Sequence, residues 1–338
     1  MIRVLALLCL GGVSLIGCAE PAPIAALPTE QPQAIDNAIV RHDVRFPCGG
    51  TRCAAWLYLP QSASPSPVVV MGNGFAGTRD VGLPYFADRF ARAGFAVLAF
   101  DYRHFGASGG APRQLVDPWR QLDDWKAALT FVRGDARLDG KRVALWGTSL
   151  GGGLALVAAT RDANVQAVVA QIPQIDADAE AEATFPGAWW LTRLLFSAWG
   201  DLAMSAFTDE PLMIAAIAPH DGFGMLIDDK AYDAVDRLVP KGSTYRNEVA
   251  ARSIFTFDDY NPRAMAAGLK APVLLIASKA DRFAAYSAVE AYAKSHPNAR
   301  ITTIEGDHFD AYAPPQASIA AQAAITFLKQ TLRADGGS

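Results

Sequence analysis

Charge of either sign is in short supply as an excess: 30 lysines and arginines face 34 aspartates and glutamates, for a formal charge of −4. No basic stripe is left to follow a phosphate backbone, so nucleic acid is not an expected partner. No internal repeat is visible, which argues against a repeat architecture. Cysteine is scarce, with four in 338 residues. None stands among enough histidines or acids to suggest a ligand set, so no metal is expected. Histidine is nearly as scarce, at five, and this narrows the search for a catalytic base. A bilayer-length apolar run is missing too. The N-terminal stretch from Val4 to Ile16 is shorter than the roughly 20 residues a membrane span needs.

That stretch has the form of a signal peptide. Arg3 supplies a short positive region, the apolar segment follows, and Leu15-Ile16-Gly17-Cys18 closes it. The closing residues resemble the bacterial lipobox, in which the cysteine sulfur takes a diacylglyceryl group and becomes the mature N-terminus. The alternative is a buried N-terminal strand with an incidental cysteine. Residues 1–17 are read as the leader, Cys18 as the lipidation site, and 18–37 as a tether holding Pro21, Pro23, Pro28 and Pro32. An exported protein, lipid-anchored to a bacterial membrane in the cell envelope, is the expectation.

The remaining cysteines, Cys48 and Cys53, flank Gly49-Gly50-Thr51-Arg52 between two strand-like runs, Val40 to Phe46 and Ala54 to Leu59. An oxidising location and this spacing predict a disulfide across a hairpin. The bridge closes a short loop, so its stabilisation is modest.

From Pro67 onward short apolar runs alternate with helical patterns, across the expected domain 38–333. Strands are predicted at Pro67–Met71, Phe95–Phe100, Arg142–Trp146, Gln166–Ile172, Pro272–Ala277 and Ala299–Ile304. Helices fall between them, around Leu83–Phe90, Trp119–Val132, Leu150–Ala159 and Ala284–Lys294, with a last one at Gln316–Leu332. Alternation of this kind predicts an α/β fold, with a mostly parallel central sheet and helices on both faces. Chemistry in such sheets gathers at the carboxyl ends of the strands. Residues 176–262 break the rhythm and are read as a helical cap over those ends, in preference to a membrane-interacting hairpin. Trp189, Trp190, Phe196 and Trp199 give it more apolar surface than one amphipathic stripe requires. They are candidates for an apolar substrate pocket or lid, or else for packing within the cap.

Gly147-Thr148-Ser149-Leu150-Gly151 fits G-x-S-x-G between a predicted strand and a predicted helix. A serine on so sharp a turn needs small flanking residues, and the turn lifts its hydroxyl clear of the sheet. Ser149 is therefore the candidate nucleophile. Its hydroxyl needs a base, and in this strand order the acid and then the histidine follow the serine. His42 and His104 come too early, His220 lies in the cap, and His296 enters the last strand from the wrong end. His308, in Glu305-Gly306-Asp307-His308, follows that strand and is the candidate base. Asp281, one short loop after Pro272–Ala277, is the candidate acid; Asp176 is the second choice. Asp307 and Asp310 lie too near His308 in sequence to orient it from behind. For the oxyanion, the amides of Leu150 and Phe75 are the expected donors. Asn73 either joins them or braces the turn.

Taken together, Gly72-Asn73-Gly74-Phe75-Ala76-Gly77-Thr78, Asp101 to Gly109, the Ser149 turn, Lys279-Ala280-Asp281 and Gly306 to Asp310 resemble the α/β-hydrolase superfamily. They are most similar to its dienelactone-hydrolase-like, acetyl-xylan-esterase-like and serine-aminopeptidase-like proteins. The resemblance implies cofactor-free cleavage of carboxylic esters through an acyl-enzyme, with peptides and thioesters as alternative substrates. In many relatives a histidine stands where this chain has Asn73.

Two other classes compete. Gly72 to Gly77 also fits G-x-G-x-x-G, and Asp101 ends the next strand, as in a dinucleotide-binding oxidoreductase. Yet Thr78 to Pro84 separates the last glycine from the helix, whose N-terminus would have to meet the pyrophosphate. A non-catalytic binding protein on a hydrolase fold is the other competitor, and it would be expected to lack one of Ser149, Asp281 and His308.

Overall fold

The computed structural model describes residues 33–36, 38–62, 64–176, 179–180 and 184–332. The leader, Cys18 and most of the tether lie outside them. The tether's end, Gln33–Ala34, does not stand apart from the domain: it forms β1, a short edge strand antiparallel to β2. β2 (Ile39–Cys48) and β3 (Thr51–Pro60) make a hairpin in full register, with Cys48 opposite Thr51 at its tip. Cys48 and Cys53 are bridged there.

β4 (Ser66–Gly72), β5 (Ala96–Phe100), β6 (Leu138–Thr148), β7 (Val165–Gln171), β11 (Val273–Ser278) and β12 (Ala299–Ile304) complete a nine-stranded sheet. Its order is β1-β2-β3-β5-β4-β6-β7-β11-β12. The first strands pair antiparallel, and from β5 to β12 every pairing is parallel. The runs Val68–Met71 and Ala96–Phe100 are buried along their whole length, as strands covered on both faces must be.

Helices α1 (Leu83–Arg92) and α7 (Gln316–Thr331) cover one face, where Phe86 and Phe90 meet Trp146 and the alanine-rich side of α7. Helices α2 (Pro118–Gly134), α3 (Leu150–Thr160) and α6 (Tyr286–Ser295) cover the other. Asp117 caps α2 by accepting from the amides of Trp119 and Arg120. That satisfies donors a helix start otherwise leaves open.

Between β7 and β11 the chain leaves the sheet. Helix α4 (Ala188–Met204) and helix α5 (Asp229–Leu238) answer the expectation of a helical cap. A three-stranded sheet corrects it: β8 (Met213–Ala218) lies between β10 (Val249–Ala250) and β9 (Gly224–Ile227). The cap is mixed. These strands are short, at six, four and two residues, and too brief for the alternating pattern that announces a strand.

Candidate active site

β6 ends at Thr148 and α3 begins at Leu150, which leaves Ser149 alone in the turn with φ 55° and ψ −126°. A non-glycine residue in such a conformation carries strain of order 1–3 kcal/mol and persists only where its surroundings over-determine it. Here backbone does so. The Ser149 amide donates to Gln171 O at 3.0 Å, and its carbonyl accepts from Gly152 at 2.9 Å and Gln174 at 3.0 Å. Small residues permit the approach. A Cβ on Gly147 would fall on the backbone of Gly151, one on Gly151 on Asn73 O, and one on Gly153 on Gln174 O. Gly74 faces Ser149 itself, where a methyl would lie 2.9 Å from the serine Cβ.

The structure brings Ser149, His308 and Asp281 together. His308 Nε2 lies 3.0 Å from Ser149 Oγ, and its Nδ1 lies 2.8 Å from Asp281 Oδ2. The second oxygen of Asp281 accepts from the amides of Phe283 and Ala284 at 2.8 and 2.9 Å. Both Asp281 and His308 are buried, and Phe283 and Phe309 stand edge-on to the imidazole at 5.5 and 5.2 Å. Ser278, at the end of β11, donates its hydroxyl to Gly306 O and so ties the aspartate loop to the histidine loop. Gly306 takes φ 86° beside Asp310, whose carboxylate accepts from the Asp307 amide. Asp307 and Asp310 thus shape the histidine loop rather than touch the ring.

Asp176, the second choice for the acid, is elsewhere: it pairs with Arg263 at 3.4 Å and accepts from the amide of Ala179. The other histidines are also spoken for or remote. His220 is exposed against Asp229. His296 stacks on Tyr292 at 3.8 Å, with its nitrogens on Tyr292 O and Ala266 O. His42 lies within β2. His104 is buried, and burial with nearby arginines pushes its imidazole down to about 4.

Leu150 opens α3, so its amide has no carbonyl one turn back to bind. Phe75 follows Gly74 in the loop that faces Ser149. The side chain of Asn73 braces that loop. Its amide donates to Thr78 O at 2.6 Å and Val81 O at 2.9 Å, and its oxygen accepts from Gly74 N at 2.8 Å. Both of its donor hydrogens are used, which leaves none for an oxyanion.

Asp101 is equally committed. It accepts from the Arg79 amide and guanidinium at 2.6 and 2.7 Å and from Ala107 N at 3.0 Å. Burial pushes its carboxyl up and Arg79 opposes. This removes the ribose-binding acid that the dinucleotide reading requires. Among the described residues one group, Cys48, Cys53 and Asp124, offers clustered metal-ligating atoms. The two sulfurs are bonded to each other and Asp124 holds Arg103 at 2.6 Å.

Three features were not anticipated. Tyr312 bonds Thr148 Oγ1 at 2.8 Å, just below the nucleophile. Ser278 links the two loops, as above. Glu180 is buried and accepts from the amides of Ile175 and Asp176 at 3.0 and 3.4 Å. Burial raises its carboxyl to about 8. Nothing local in the sequence marks these residues, because their partners are distant or lie in an irregular loop.

The four cap aromatics do not share one surface. Positions 190, 194, 198 and 201 form the inner face of α4: Trp190 is half-buried and donates to Gly224 O at 2.9 Å, and Leu194 and Ala198 are buried. Trp189, Phe196 and Trp199 point outward and are 74%, 78% and 60% exposed. Trp189 and Phe196 line an open groove of about 590 Å³, together with Arg193, Leu212, Met213 and Phe223. Ser149, Asp281 and His308 are not part of its lining. Of the two readings, pocket or lid against packing within the cap, Trp190 follows the second, while Trp189 and Phe196 line a groove that does not include the serine; helical periodicity divides them.

A strand, a one-residue turn and a helix around Ser149, on a sheet of this order, define an α/β hydrolase. Solved structures share the fold. The α/β hydrolase GrgF from Penicillium sp. superposes with a TM-score of 0.75 at 23% identity, over 86% of this chain and 99% of that one. DcsB, solved with its substrate analogue, gives 0.74 at 21%, with the same coverage. More specifically, residues 49–310 match the X-Pro dipeptidyl-peptidase (S15) family, and the chain belongs to it. This is a family the motifs alone did not single out. The chain is also 35% identical to the quorum-quenching protein AidA of Acinetobacter baumannii over 288 residues, 85% of this chain and 94% of the relative. These relationships make it a member of a hydrolase family.

Proposed function

We propose that the protein cleaves carboxylic esters of small molecules by two-step acyl transfer, with Ser149 as nucleophile. The observation that carries this reading is the continuous hydrogen-bonded chain from Ser149 through His308 to Asp281. His308 Nε2 takes the Ser149 proton as Oγ attacks the carbonyl carbon. The amides of Leu150 and Phe75 hold the oxygen that becomes negative. Asp281 fixes the imidazole tautomer and stabilises the imidazolium. Collapse of the tetrahedral intermediate expels the alcohol, which receives the proton from His308. Water then attacks the acyl-enzyme with His308 as base and frees the acid and Ser149. The family name favours peptide cleavage as a second reading, and the same apparatus would serve it. The chain acts, on this reading, as an exported protein anchored through lipid at Cys18, with the Cys48–Cys53 bridge suited to that compartment.

The test is fluorophosphonate labelling of wild type beside Ser149→Ala, with hydrolysis of p-nitrophenyl acetate, p-nitrophenyl octanoate and an X-Pro anilide followed in parallel. Labelling and ester turnover should vanish in the variant, a loss of about 10³-fold or more. Hydrolysis confined to the anilide would transfer the assignment to peptides. Folded wild type that neither labels nor turns over any of the three would overturn both readings.

A further inference from the structure

Helix α4 is fastened to the cap by one face. Asp201 is fully buried; its carboxylate accepts from Leu212 N and Arg252 N, both at 2.9 Å, and Arg252 pairs with it at 3.4 Å. Leu194 and Ala198 are buried beside it. The helix is thus already docked, and its other face is not waiting for this chain's own core. On that face Trp189, Leu195, Phe196, Trp199 and Leu202 are exposed, and Phe207 just beyond the helix is 91% exposed. Elsewhere among the described residues, exposed large apolar side chains stand apart in sequence, as Ile35, Trp119, Tyr232 and Ile319. Of the two charged residues in α4, Asp201 is turned inward and Arg193 remains outside, over the ring of Phe223 at 4.1 Å.

An apolar, tryptophan-bearing helix face with a cationic residue, and with its nearest exposed acids at Asp209 and Glu210 beyond Phe207, fits the headgroup boundary of a bilayer. The helix has 17 residues and so is roughly 25 Å long, too short to cross the roughly 30 Å hydrocarbon core. No helix among the described residues is long and apolar enough to do so. Lying in the interface plane is the arrangement left to it. The route from Cys18 to β1 permits this. Residues 19–32 reach at most roughly 50 Å, while a domain of this size has a radius of gyration of only about 20 Å. The cap can therefore meet the membrane that holds the anchor.

We propose that the outer face of α4, with Phe207, is a membrane-contacting surface that rests in the interface of the phospholipid bilayer to which Cys18 tethers the chain. The proposal rests on the lipid-anchor reading, and the test separates the two. The full-length product is purified from membranes, its N-terminal peptide is weighed for lipid, and it is placed in phosphatidylethanolamine–phosphatidylglycerol vesicles with brominated acyl chains. Bromine quenches tryptophans that enter the acyl boundary. With Trp189 and Trp199 among seven tryptophans, emission should fall by about a quarter. Phe196→Ser/Phe207→Ser keeps every tryptophan, and should cut that quenching at least threefold without moving the thermal unfolding midpoint.

A lipidated chain with unquenched emission, or equal quenching in wild type and variant, would refute the membrane surface and leave the anchor standing. An unlipidated chain that is still quenched on mixing with vesicles would refute the anchor and support the surface. A doubled mass in lipid-free buffer, lost in the variant, would show that a second copy covers the face, and would overturn the proposal.

Discussion

At Ser149 the chain is gripped by backbone on several sides, whereas α4 grips its cap by one face and leaves the other bare. The difference lies in what fills the contact. Around the serine, Gly147, Gly151 and Gly153 remove side chains so that main chain can meet main chain. The geometry then follows from covalent dimensions and admits little play. In the cap, contact runs through side chains, with Asp201 and Trp190 as its fixed points. Such packing tolerates substitution more readily, and it leaves surface free for a different purpose. Rigid chemistry and adaptable surface are therefore assigned to separate parts of one domain.

The sharpest way to probe the rigid side is Asp281→Asn. The Asn oxygen can still accept from Phe283 and Ala284, so the loop should keep its shape. Turnover should nonetheless fall by about 10⁴-fold, because an amide beside Nδ1 favours the wrong tautomer. Steady-state ester kinetics would check this; a loss below tenfold would remove Asp281 from the triad. Next in size is Gly151→Ala, whose methyl meets Asn73 O. Separating α3 from the β4 loop should destabilise by about 1–3 kcal/mol and lower turnover by about 10²-fold. Unchanged kinetics and an unchanged unfolding midpoint would mean that backbone contact does not set the geometry of the elbow.

A smaller effect is expected at the root of the cap. Glu180 keeps its proton to about 8 in the folded chain, well above the usual carboxylate range near 4.3. The linked stability is complete below the unfolded value and is lost as pH rises through about 8. The wild-type unfolding midpoint should therefore drop by several degrees between pH 6 and 9, while Glu180→Gln should flatten that part of the curve. Parallel curves for the two proteins would rule out Glu180 as its source.

Much of this was legible in the sequence. Buried parallel strands announce themselves as short apolar runs, as Val68–Met71 and Ala96–Phe100 do, and the edge strand Ala299–Ile304 also begins and ends where it is expected. The serine turn carries its glycines within a few residues, and chain order, the cap and the ends of the strands together reduce five histidines to His308. What stayed hidden depends on partners far away in sequence. The Thr148–Tyr312 bond spans 164 residues, and no local pattern encodes it. The small cap sheet is built from strands of six, four and two residues, too short to give a periodic signal. Asp201 reads as an interruption of an apolar helix until its two amide partners, Leu212 and Arg252, are brought beneath it.

The hydrogen bond between Ser149 and His308 spans 159 residues, and the one between His308 and Asp281 spans 27. All three groups meet only when β11 and β12 have been added to the far side of the sheet. Synthesis runs from the N-terminus, so for most of it the chain holds a serine without a base. On the proposed triad, a ribosome-bound molecule, and any product truncated before β12, would be inert. The order of the strands would thus work as a timer, keeping the proposed chemistry silent until the polypeptide is whole.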